Sequence, residues 1–129
     1  MSVQAQCSCG QLQLSCSSEP LRVSVCHCED CQRRSGSAFA SQVRLHQADV
    51  VIRGEARCYQ RQAESGAQLA FGFCPQCGAT VYFSNSALAG AMMVPLGAIT
   101  NRALAPSISV YEARQQPWLH LTGIEQHYD

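Results

Sequence analysis

Charge is scarce in this sequence, and what there is cancels. Nine basic and nine acidic residues make up 14% of the 129. Nothing global therefore draws the chain to nucleic acid or anionic lipid, and Arg33-Arg34 is the one adjacent cationic pair. No apolar run reaches bilayer-spanning length, and the opening MSVQAQCSCG has neither the basic nor the apolar region of a secretory leader. A cytoplasmic location is expected, with no membrane or nucleic-acid partner. Repeats, low-complexity stretches and internal linkers are also missing. Residues 1–129 are expected to form one domain, long enough to bury a core.

Cysteine, by contrast, is plentiful. Nine cysteines could mean a disulfide scaffold, but the count is odd and they fall into tight Cys-x-Cys and Cys-x-x-Cys clusters. In a reducing compartment such clusters hold metal.

Short alternating stretches dominate the rest. Gln11–Cys16 and Leu21–Val25 alternate polar and apolar residues, as half-buried strands do. Cys16 shares a face with Leu12 and Leu14 and reads as a small core residue. Gln32–Ser37 is a polar loop or a single helical turn, and Ala38–Leu45 is extended, with a turn at 46–49. Strands are expected at Val50–Ile52, Cys58–Tyr59, Leu69–Phe73, Thr80–Phe83 and Ile108–Tyr111. Residues 87–96 are ambiguous between strand and helix, with strand favoured for their second half. The pattern is that of a mainly β domain.

Cys7-Ser8-Cys9-Gly10 and Cys74-Pro75-Gln76-Cys77-Gly78 together supply the four thiolates of a closed, structural zinc site. Such a site would clip the start of the chain to a mid-chain hairpin. The second set, Cys26-His27-Cys28-Glu29-Asp30-Cys31, has three thiols. Alternation puts Cys26 and Cys28 on one face and His27 on the other. Three sulfurs leave one corner of a tetrahedral zinc for a guest, as in catalytic sites. The competing reading is a second structural zinc completed by a distant histidine (His46, His120 or His127) or by Cys58.

These motifs, with Arg33, Gly36-Ser37-Ala38-Phe39 and Phe73 before Cys74, resemble the glutathione-dependent formaldehyde-activating enzyme family, also called centromere-protein-V-like. The loosely matching Pro117-Trp118 extends the likeness through most of the chain. The resemblance implies an antiparallel β-tent (Mss4-like) domain and two zinc ions per chain. One would sit on Cys7, Cys9, Cys74 and Cys77, the other, open, on Cys26, Cys28 and Cys31. It implies a carbon–sulfur lyase activity, the condensation of formaldehyde with glutathione to S-(hydroxymethyl)glutathione. Two positions depart from the pattern. Phe71 stands where members often carry an arginine, and Ser109-Val110 where many have a His-Ile pair, so a cation for a substrate carboxylate is missing at Phe71.

For that chemistry His27 is the candidate proton carrier by proximity, against a plain packing role. Arg33 and its neighbour Arg34 are candidates for substrate carboxylates, and Gly36 and Phe39 for a pocket wall. The alternative function is a non-catalytic zinc module: a thiol carrier, a redox sensor, or a nucleic-acid- or protein-binding domain. A homodimer is compatible with the sequence.

Overall fold

The structure is a computed structural model describing residues 2–129. In chain order it comprises strands β1 (Val3–Gln6), β2 (Gln13–Cys16) and β3 (Arg22–Cys26), then helix α1 (Glu29–Ser35). Strands β4 (Ala40–His46), β5 (Val50–Arg53), β6 (Arg57–Gln62) and β7 (Gln68–Phe73) follow. The chain ends with β8 (Thr80–Asn85), β9 (Ala91–Pro95), β10 (Ile108–Val110) and β11 (Gln126–His127). The mainly β architecture expected from alternation is observed. β1, β2 and β5 make a three-stranded sheet, and the other eight strands make a second sheet in the order β11-β10-β3-β4-β9-β8-β7-β6. Pairing is antiparallel except at β10, which runs parallel to both β3 and β11. The fold is therefore mixed rather than wholly antiparallel.

Period-two burial decides what each face does. Val3 and Ala5 of β1, Leu14 and Cys16 of β2, Val43 and Leu45 of β4, and Met92 and Val94 of β9 converge in one core between the sheets. Cys16 is fully buried there, as its alternation implied. The opposite face of the large sheet carries a second apolar cluster of Leu69, Phe71, Phe83, Ala91 and Met93. β9 is apolar on both faces because it lies between these clusters, which hides its period. Each fully buried aliphatic side chain contributes about 1.5–3 kcal/mol.

One lateral row in register crosses the large sheet on the face away from the main core. It passes through Arg22, Arg44, Met93, Phe83, Phe71 and Tyr59. α1 covers the aromatic end of this row.

α1 is two turns rather than the single turn or loop expected. Cys28 caps its start, its Sγ accepting from the Cys31 N–H at 3.3 Å. Glu29 and Asp30 sit in the first turn and Arg33 and Arg34 in the last, each complementing the helix dipole. Gly36, at φ 69°, closes the helix in the left-handed region, its N–H bonding Gln32 O at 2.8 Å.

Candidate functional site

Two groups of sulfurs come together. The Sγ atoms of Cys7, Cys9, Cys74 and Cys77 lie within 4.8 Å of one another. Cys9 Sγ is 3.6 Å from Cys7 Sγ and 3.7 Å from Cys74 Sγ. A tetrahedral zinc with Zn–S of about 2.3 Å has edges of about 3.8 Å, so the donor set fits that ion. N–H groups point at these sulfurs: Leu12 N donates to Cys7 Sγ at 3.3 Å, and Gln11 Nε2 and Gln76 N to Cys74 Sγ at 3.1 and 3.4 Å. Burial works to raise the Cys74 pKa, but backbone hydrogen bonding at Cys77, the Gln11 amide and the Gln76 N–H bring it down to about 6. Gln11 also ties the cluster to the β5–β6 turn, donating to Glu55 O at 2.7 Å and accepting from Glu55 N at 3.0 Å.

Cys26, Cys28 and Cys31 form the second group, again within 4.8 Å of one another. Among the described residues, no histidine, further cysteine or carboxylate joins them. Cys58 is exposed on β6, His46 and His120 are exposed, and His127 pairs with Glu112 at 2.7 Å. Hydrogen bonds shared with Cys26 and then Cys31 hold the Cys28 thiol far below its ordinary range. The same sharing, with burial, pushes Cys26 and Cys31 up. Both sulfur sets can hold a metal ion, and their softness is consistent with zinc.

The three sulfurs form part of the wall of a cavity of about 430 Å³ under α1. Its floor is the second apolar cluster, with Leu69, Phe71, Phe83 and Met93 facing in. Arg34 lies over this floor, its guanidinium 5.3 Å from the Phe71 centroid and 5.1 Å from that of Phe83. Burial lowers its pKa while the nearby Cys31 sulfur raises it. Arg61 approaches Phe71 at 5.4 Å and pairs with Asp30 at 3.2 Å. Tyr111 is the one non-glycine with positive φ among the described residues, at 56°, and it also lines the cavity. Burial and then the Cys26 and Cys28 sulfurs raise its pKa, which keeps the phenol protonated.

A model of the family described as glutathione-dependent formaldehyde-activating enzyme matches residues 2–114. The chain belongs to this family. Among solved structures, a crystal structure of a Rhodobacter sphaeroides protein is similar to it at a TM-score of 0.61 and 20% identity. The match covers 78% of this chain and 90% of that one, and at that identity it speaks to the fold alone. A search of the curated proteins finds no significant match.

Within this family member, the other residues singled out from sequence are placed unevenly. His27 is fully buried and does not line the cavity. Its Nε2 bonds Ser109 Oγ at 3.1 Å, and its ring tilts against Phe39 at 6.1 Å. Phe39 and Gly36 lie outside the cavity lining. Arg33 reaches the cavity rim, but its side chain is 73% exposed and turns to Glu29 at 3.5 Å. Consecutive helical residues point about 100° apart, so only one of the Arg33-Arg34 pair can face the sheet. Arg34 is that one.

Tyr111, Arg61, Arg22 and Arg44 line the cavity without being singled out by the sequence. Arg22 and Arg44 alternate with core residues, Arg61 sits on a strand with no buried residue, and all three look like an ordinary solvated face. The strained backbone of Tyr111 has no local sequence signal.

Proposed function

We propose that this protein binds glutathione at Cys26, Cys28 and Cys31 and adds it to formaldehyde, giving S-(hydroxymethyl)glutathione. The observation that carries this is three convergent sulfurs with no fourth protein donor among the described residues, set in the wall of a cavity. Family membership supplies the substrate pair. When bound there, zinc supplies a dication that stabilises an incoming thiolate. Zinc on Cys7, Cys9, Cys74 and Cys77 would serve the fold, for two ions per chain.

The chain's own groups then handle position and protons. The apolar floor excludes water, and Arg34 adds a fixed positive charge above it. As the sulfur bonds to the formaldehyde carbon, the C=O π pair moves to oxygen, which takes the proton of Tyr111 Oη. The phenolate recovers, through solvent, the proton that the thiol released, so that thiol plus aldehyde equals product. Arg34 and Arg61 stand over Phe71, so the cation that family members often carry at that position is replaced from neighbouring elements.

No helix among the described residues is long and apolar enough to cross a membrane. A reducing compartment such as the cytoplasm, where its thiols persist, suits this function.

The test is exchange NMR of glutathione, formaldehyde and their adduct at equilibrium. Wild type should speed interconversion above the uncatalysed rate, and Tyr111→Phe should lose about 10²-fold of that gain. An interconversion rate equal to that of buffer would overturn the enzyme reading.

A further inference from the structure

All nine strongly basic side chains of this protein are arginines, and six of them line the one cavity beside Cys26, Cys28 and Cys31. The cavity holds three carboxylates, Glu29, Asp30 and Glu64. Each is committed at the cysteine end: Glu29 to Arg33 at 3.5 Å, Asp30 to Arg61 at 3.2 Å and Glu64 to Arg114 at 2.8 Å. Arg34 is stacked on two rings. Arg22 and Arg44 remain, at the far end, with no carboxylate or aromatic partner among the described residues.

These two are directly opposite each other on β3 and β4. Like charges facing across a ladder are destabilising, and nothing among the described residues offsets them. Both Nε atoms are buried and without a partner. Burial and then Arg22 weaken the hold of Arg44 on its proton, as expected for two guanidiniums that share a partly desolvated space. Beside them Gln42 donates Nε2–H to Ser24 Oγ at 3.4 Å, which leaves its Oε1 buried with no donor. Two planar donor forks and one spare acceptor thus meet at one end of the cavity.

We propose that Arg22, Arg44 and Gln42 form an α-amino-acid subsite, the guanidiniums taking a carboxylate and Gln42 Oε1 an N–H of the same end group. The proposal rests on the thiol-binding reading of the three cysteines, and it sets the substrate class. Arg22 is four strand residues from Cys26, about 13 Å. A carboxylate carried ~7 Å from the sulfur, two residues' length, falls between them, and the arginine stems cover the remainder. Peptide-length thiols span this distance. Free cysteine, with thiol and carboxylate on one residue, does not.

Binding to the zinc-loaded protein by calorimetry separates the two sites with three probes. S-methylglutathione reports the subsite without a free thiol, 2-mercaptoethanol reports the cysteine cluster without a carboxylate, and glutathione reports both. Arg44→Met should weaken S-methylglutathione and glutathione by about tenfold or more and leave 2-mercaptoethanol unchanged. Gln42→Leu should act in the same direction. The subsite is refuted if S-methylglutathione fails to bind wild type, or if Arg44→Met binds it equally well. It is also refuted if all three probes weaken together, which marks a structural role for Arg44. Should S-methylglutathione bind as expected while 2-mercaptoethanol does not bind at all, the subsite stands and the thiol reading of the cysteines goes.

Discussion

The guanidinium of Arg34 lies 5.3 Å above the ring of Phe71, and this contact joins α1 to the floor of the cavity. It sets a cation over an apolar surface, beside sulfurs whose negative charge supports its protonation. Arg34→Met keeps the stem and removes the charge. The variant should lose about 1 kcal/mol of stability, a fall of about 4 °C in Tm, and bind glutathione more weakly. Thermal melts and calorimetry check both. Arg33→Met should change neither by a measurable amount, because exposed pairs such as Arg33–Glu29 contribute little.

Gln11 connects the four-cysteine cluster to the β5–β6 turn through Cys74 Sγ, Glu55 O and Glu55 N. Gln11→Ala should cost about 2 kcal/mol and raise the Cys74 thiol pKa, since a donor to its sulfur is lost. Faster zinc release to a chelator, measured by a coloured indicator, is the expected result.

Gly54 cannot accept a side chain. Its φ is 97°, and a Cβ would fall 2.1 Å from the Gln11 carbonyl oxygen. Gly66, at φ 92°, has open space around its Cβ position. Gly66→Ala should therefore cost about 1 kcal/mol of conformational strain, and Gly54→Ala at least ~2 kcal/mol. Chemical denaturation of the two variants side by side reads the difference.

Buried His27 gives the fold a pH dependence. Burial depresses its pKa from 6.5, with the Glu112 charge opposing. The unfolded chain then takes up a proton near pH 6.5 that the folded chain resists. This stability is present above that pH and is lost as pH falls through the lower folded value. His27→Gln lacks the group. Its Tm deficit against wild type should narrow between about pH 7.5 and about pH 5.5, with metal loss common to both proteins.

Much of this was legible in the sequence, because its cause is local. Strand alternation at Gln13–Cys16 and Arg22–Cys26, and the spacing of the seven clustered cysteines, each follow from a few adjacent residues. The two-turn helix was less legible, because its cap is a cysteine rather than serine or aspartate. β1 and β11 were missed, β1 for its small apolar residues and β11 because two residues carry no period. The cavity was not legible at all. Arg22, Arg44, Phe83 and Phe71 become neighbours only through the register of five strands. His27, a candidate by proximity in sequence, points away from the cavity, and Arg33, a candidate cation for substrate carboxylates, stays at its rim.

We expect the two sulfur sets to differ in kind: four cysteines hold the fold, and three hold a site with room for a guest. Zinc per chain, circular dichroism and glutathione titration on wild type, Cys28→Ser and Cys74→Ser test it together. Wild type should carry two zinc ions and Cys28→Ser one, the variant folded but glutathione-blind, with Cys74→Ser unfolded. An unfolded Cys28→Ser, or one that still binds glutathione as wild type does, would contradict it.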